Sequence, residues 1–102
     1  MKPCCEKYLN EQFGGDAEIV AEIYSEYVSS LKTKIAEAVA ALDGGQWDVL
    51  DKAAHTIKGN ALAAGDTETA ETGIALRSAA KLNDSAESRA LIAKLEGLAA
   101  GL

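Results

Sequence analysis

Residues 16–42 read DAEIVAEIYSEYVSSLKTKIAEAVAAL. Val20, Tyr24, Tyr27, Leu31, Ile35, Val39 and Leu42 recur at spacings of three and four, and Ile23 and Val28 widen the stripe. That is the period of an α-helix with one apolar face. Asp16 offers an N-cap, and Glu18 places an acidic group in the first turn, where the helix dipole favours it. Asp43-Gly44-Gly45 ends the segment.

The same reading extends in both directions. Upstream, residues 3–13 predict a short helix with Pro3 near its first turn and Tyr8, Leu9 and Phe13 on its apolar side. Gly14-Gly15 separates it from the long helix. Downstream, residues 46–64 predict a third helix, closed by Gly65 as the C′ residue. Asp66 can cap a fourth helix through about Lys81, whose face is made of Thr69, Ala70, Gly73, Leu76 and Ala80. Such small side chains allow a close approach to a neighbour. Asp84-Ser85-Ala86-Glu87 resembles a capping box with Asp in place of Ser or Thr. The fifth helix then places Leu91, Leu95 and Leu98 inward, with Ile92 beside them.

No segment alternates with the period of a strand. The expected fold is all-α: an up-down-up-down antiparallel four-helix bundle, with the short N-terminal helix capping one end or lying across it. Residues 1–102 are expected to form a single domain, at a length that supports a core without staples. Met1 and the full set of helices favour a free-standing module.

Composition narrows the function. Apolar residues make up 48% of the chain, much of it alanine, and aromatics only 5%, which suits close helix packing. The net charge is −6 and no basic run exists, so nucleic acid is not an expected partner. No apolar run has the length of a membrane span, and the N-terminus lacks the apolar block of a signal peptide, so a cytoplasmic protein without membrane attachment is expected. Cys4 and Cys5 are neighbours, a poor arrangement for a disulfide. Two thiols and one distant histidine do not make a zinc site, so free thiols and no bound metal are expected.

The third helix carries the only histidine, within His55-Thr56-Ile57-Lys58-Gly59. Leu50, Ala53, Ala54, Ile57, Ala61 and Ala64 form the apolar face of this helix. At about 100° per residue, the centre of that face lies almost opposite His55. Around the histidine, on the outward side, lie Asp48, Asp51, Lys52, Lys58, Gly59 and Leu62. Imidazole is a nitrogen nucleophile able to accept a phosphoryl group, and it titrates near neutrality. Lys58 is long enough to reach a phosphoryl group on the ring. Gly59, which mid-helix costs ~1 kcal/mol relative to alanine, clears space beside it. Asn60, Ala61 and Ala63 keep the next turn small.

The run His55-Thr56-Ile57-Lys58-Gly59-Asn60-Ala61-Leu62-Ala63-Ala64-Gly65 resembles the histidine phosphotransfer (HPt) domains of multistep phosphorelays. Those share an H-x-x-K-G core and a further glycine ten residues after the histidine, matched by Gly65. Ala53-Ala54 before the histidine, Phe13 before a Gly-Asp break, Ala40-Ala41-Leu42 closing the long helix and Trp47 opening the next agree with the pattern. Two departures stand out. The family usually has a small or hydroxyl residue where Asn60 stands. Its fourth helix usually carries larger apolar residues and often an acidic residue near Ala75–Leu76, where this chain has none.

The resemblance implies a role for each residue. His55 is expected to carry the phosphoryl group, at Nε2 by family habit, with Lys58 steadying it and Gly59 giving clearance. It also implies partners: receiver domains of response regulators or of a hybrid histidine kinase, which bind Mg²⁺ in their own acidic pocket. This chain is expected to bind no cofactor, to act as a monomer and to have no kinase activity, since it has no glycine-rich nucleotide loop. Leu62, Thr56 and Asn60 are expected to dock the partner, together with Leu9 and Tyr24 of the first two helices. The alternative is a helical adaptor that uses no phosphorylation. A catalytic bundle is disfavoured: Asp51 and His55 could be imagined as two metal ligands, but one histidine is too few for such a site.

Overall fold

The structure is a computed structural model that describes all 102 residues. Five helices follow one another: α1 (Pro3–Gln12), α2 (Ala17–Asp43), α3 (Trp47–Ala64), α4 (Thr67–Lys81) and α5 (Ser85–Ala100), with no strand. Their boundaries follow local chemistry. Asp16 accepts hydrogen bonds from the Glu18 and Ile19 amides, Asp66 from Thr69, and Asp84 from Glu87, each satisfying amides that a helix start leaves free. Gly65 closes α3 with φ of 74°, the left-handed conformation glycine adopts without strain. Space also demands glycine here, because a Cβ at position 65 would land on the Tyr8 side chain.

Helix α3 packs against α2 and α4, and α5 closes the ring by packing against both α4 and α2. The cross-helix contacts run in opposite directions along α2 and α3, α3 and α4, and α2 and α5. Tyr27 meets Asp66 while Ser30 meets Asn60. Asp51 meets Arg77 while Lys58 meets Gly73. Tyr24 meets Leu102 while Asp43 meets Arg89. The molecule is 43 Å along its longest axis, close to the ~40 Å expected of a helix the length of α2 at ~1.5 Å per residue.

The main core joins Tyr27, Leu31, Ile35, Leu50, Ile57, Leu76, Ile92 and Leu95 with buried alanines from α2 to α5. A smaller cluster, Cys5, Leu9, Val20 and Tyr24, seats α1 on the first half of α2. The small-residue face of α4 is buried as its sequence predicts: Thr69, Ala70, Gly73, Leu76 and Ala80. At Gly73 a Cβ would stand 3.2 Å from the Lys58 amide nitrogen and 3.4 Å from the Ala54 carbonyl oxygen. The α3 and α4 backbones are therefore in near contact at the level of the histidine.

Two apolar assignments need correction. In α5 the buried stripe is Ser88, Ile92, Leu95 and Ala99, while Leu91 and Leu98 are half-buried. The face is turned by roughly 60°, at ~100° per residue, from the one the leucines mark, and Leu95 belongs to both. Phe13 lies just past the end of α1, where the chain turns, and is 42% exposed rather than part of the apolar side.

Candidate functional site

The buried stripe of α3 is the one its sequence predicts, Leu50, Ala53, Ala54, Ile57, Ala61 and Ala64. Its burial fixes the rotation of the helix. His55 is exposed on the other side, with Thr56 and Lys58 half-buried and Gly59 exposed. A Cβ added at Gly59 would meet nothing within 4 Å, so packing does not require this glycine. Lys58 makes no ion pair or side-chain hydrogen bond, which leaves its ammonium free for an incoming anion.

A residue that the sequence did not single out completes the site. Arg77, on the facing side of α4, donates from Nε to Asp51 Oδ1 at 3.0 Å. One of its terminal nitrogens lies 3.2 Å from Nδ1 of His55. A guanidinium has only donors, so the contact is a hydrogen bond when Nδ1 is unprotonated. Asp51 precedes His55 by one helical turn, and both therefore face α4 on the same side of α3. The close α3–α4 approach at Gly73 brings Arg77, one turn further along α4, within reach of both. No spacing rule links positions 55 and 77; their meeting depends on the register of α4 against α3.

The expected docking residues divide. Leu62 is 54% exposed, two turns beyond His55. It borders a groove between α1 and α3 that is also lined by Cys4, Lys7, Tyr8, Glu11, Gly65 and Thr67. Thr56 is half-buried. Asn60 is turned toward α2, its Nδ2 donating to Ser30 Oγ at 3.0 Å. Leu9 and Tyr24 are not available surface: Leu9 is fully buried and Tyr24 is 8% exposed. Both belong to the apolar contact that holds α1 on α2, and Tyr24 spends its hydroxyl on the chain ends, accepting from the Lys2 amide and donating to the Leu102 carbonyl.

Asp66 emerges as more than a helix cap. Fully buried, it accepts from Lys2 Nζ at 2.7 Å on one oxygen and from the Tyr27 and Thr69 hydroxyls, each at 2.7 Å, on the other. Burial alone would push its carboxyl up, but these hydrogen bonds and the Lys2 charge hold it below the usual carboxylate range. Cys4 and Cys5 lie close enough to Asp66 to form a three-ligand cluster. Both oxygens of Asp66 are already committed, however, and the ammonium of Lys2 supplies the positive charge there. Burial, with the Asp66 carboxylate beside it, pushes the Cys5 thiol up to about 12, far from the thiolate a metal needs.

Comparison with known families gives one match: the model described as Hpt domain fits residues 22–102. No curated protein and no solved structure matches the chain.

Proposed function

The chain belongs to the Hpt domain family, whose members take part in phosphorelay signalling with receiver domains, and we propose that it passes a phosphoryl group between receiver aspartates through a phosphohistidine at His55. The observation that carries this reading is the placing of the only histidine: exposed opposite the buried stripe of α3, beside an open Gly59 and an unpaired Lys58. In this reading α2 to α5 form an up-down-up-down antiparallel four-helix bundle across one end of which α1 lies, and residues 1–102 act as one domain.

Transfer to this protein begins with a receiver's phospho-aspartate against His55. The Nε2 electron pair forms the new N–P bond, the P–O bond to the aspartate breaks, and the carboxylate leaves with that electron pair. The proton of the ring is lost to solvent. Lys58 offsets the charge of the phosphoryl oxygens, a charge-assisted interaction that a flexible ammonium makes without fixed geometry. Gly59 lets the partner's surface close over the ring. Mg²⁺ belongs to the receiver's pocket and supplies the charge stabilisation at the acyl phosphate. Leu62 and the groove beside it offer apolar contact on the same side of the molecule. The protein contributes a nucleophile and a docking surface, with no kinase chemistry of its own.

The test is incubation with phosphorylated receivers and Mg²⁺. Acid-labile, base-stable phosphate should appear on the protein and be absent from His55→Gln. Lys58→Ala should slow labelling with its helical signal intact. Label on His55→Gln, or none on the native chain across a panel of receivers from the same cell, would sink the reading in favour of an adaptor that binds without phosphorylation.

A further inference from the structure

We infer that the groove between α2 and α5 is a self-association face, on which a second copy of this chain docks about a two-fold axis running along the groove. The inference goes beyond the phosphotransfer reading and does not depend on it. It replaces the monomer expected from the sequence with a weak, symmetric pair.

The groove lies on the side of the bundle away from the α3–α4 pair that builds the His55 site. Its floor is Ile35, Val39 and Ala99, and its shoulders are the exposed Ala36 and Ala100. Small shoulders let a helix approach closely, since the side chains at a contact set the separation of helix axes. Gly97 adds to this. It stands exposed inside α5, and a Cβ there would meet nothing within 4 Å. A glycine inside a helix weakens it, and no contact within the chain requires this one.

Charge decides the occupant. Lys32 and Glu96 border the groove, one on each helix. Both are exposed, and neither forms an ion pair within the chain. Helices α2 and α5 run antiparallel, with Tyr24 at Leu102 and Asp43 at Arg89. Lys32 and Glu96 fall between those contacts, and so stand at about the same level on opposite shoulders. A two-fold pair uses one patch twice, and the complement of this patch is the patch itself. With the axis along the groove, α2 of each copy lies over α5 of the other at the same level. Lys32 of each copy then meets Glu96 of the other, and Asp43 stands over the other's Arg89. An axis across the groove would instead set Lys32 against Lys32 and Glu96 against Glu96, like charges that oppose association. Two helices of this length offer a face at the low end of specific interfaces, so the pair should exchange with the monomer. Both copies keep His55 free, on opposite outer sides of the dimer.

Sedimentation equilibrium of the intact chain tests this. The apparent mass should rise from 10.6 kDa toward twice that value as concentration increases into the hundred-micromolar range, and the rise should shrink in high salt. Lys32→Glu and Glu96→Lys each set like charges together at both contacts and should weaken association by about tenfold or more. Their helical signals should be unchanged, because both side chains are exposed. An equimolar mixture of the two variants is the deciding arm. Each variant alone carries two like charges at its groove, so no pairing inside a chain can be restored, whereas a mixed dimer has both opposite-charge contacts. The mixture should therefore regain native association. Gly97→Leu, which fills the space beside α5, should abolish it. A native chain that sediments as a monomer at every concentration overturns the inference and leaves the groove to an occupant of another kind. So does a mixture that associates no better than its components, or dimerisation undiminished in Gly97→Leu.

Discussion

Two glycines on facing helices show how one residue type serves opposite ends. Gly59 is exposed with open space where a Cβ would sit, whereas Gly73 is buried with the α3 backbone 3.2 Å from that point. Gly59 weakens α3 with no compensating contact inside the molecule, so its benefit must come from outside. Gly59→Ala should therefore raise stability by about 0.5–1 kcal/mol, the ordinary helix-propensity gain, read as an increase in the midpoint of thermal unfolding. The same substitution should slow phosphoryl transfer from a receiver. A more stable variant with an unchanged transfer rate would show that the glycine gives no clearance. His55, Lys58 and Gly59 were legible from spacing, because all three lie on one helix, and the period of that helix is known. Arg77 was not, since its place beside the ring is set by packing between two helices. Leu9 and Tyr24 were misplaced for a related reason: a residue on the edge of an apolar stripe is covered or not according to what packs over it, and here the contact between α1 and α2 buries both.

At the scale of the elements, α3 and α4 together build the candidate site. α3 carries the histidine, and α4 supplies the arginine that touches it. Gly73 sets their separation. A large side chain at position 73 cannot be accommodated by rotamer changes, because the atoms it meets are the backbone of Ala54 and Lys58. Gly73→Leu should cost roughly 1–3 kcal/mol through overpacking, measured by urea unfolding. It should also part Arg77 from His55, breaking the contact between the two helices. Retention of native stability would mean that the helices separate without penalty. The helices themselves were legible to within a residue or two. The capping aspartates, the left-handed Gly65 and the apolar period each act locally, and they agree. The fifth helix was rotated in the reading because Leu91 and Leu98 drew the stripe toward the largest apolar groups, whereas the structure buries the smaller Ser88 and Ala99.

At the scale of the whole molecule, the Asp66 cluster draws together distant parts of the chain. Lys2 precedes α1, Tyr27 lies in α2, and Asp66 and Thr69 begin α4; Tyr24 joins the Lys2 amide to the last residue. Asp66→Ala removes the cap and leaves the Tyr27 hydroxyl without its acceptor. It should cost roughly 3 kcal/mol, the lower part of the range for breaking a buried pair, because Lys2 can turn to solvent. The pH dependence has a definite sign on each side. The Asp66 carboxyl is held below its unfolded value of 3.8. Its stabilisation is therefore fully present above that value and is lost as pH falls through the folded one. On the alkaline side, the unfolded Cys5 thiol ionises near 9.0 while the folded one, buried beside Asp66, stays protonated to about 12. Ionisation thus favours the unfolded chain across that interval, and stability should decline with rising pH. Burial and the Asp66 hydrogen bond push Tyr27 up as well, and Lys2, raised by its bond to Asp66 against the effect of burial, loses its contribution above its ordinary 10.5. Thermal unfolding midpoints should be highest between these limits, and Cys5→Ala should soften the alkaline fall. A flat profile from neutral pH upward would contradict this account.

Local interactions act within a few residues, so the sequence by itself determined where helices start and stop, which face of α3 is apolar, and hence that His55 points outward beside Lys58 and Gly59. Relations between helices depend on the shape of side chains from distant segments. Only the tertiary structure decided that Gly73 brings α4 against the histidine helix, that Arg77 reaches Nδ1 of His55, and that Leu9 and Tyr24 are buried where α1 meets α2. It also turned Asp66 from a helix cap into a buried link between Lys2, α2 and the start of α4, because the hydrogen bonds that charge requires come from residues no local pattern connects.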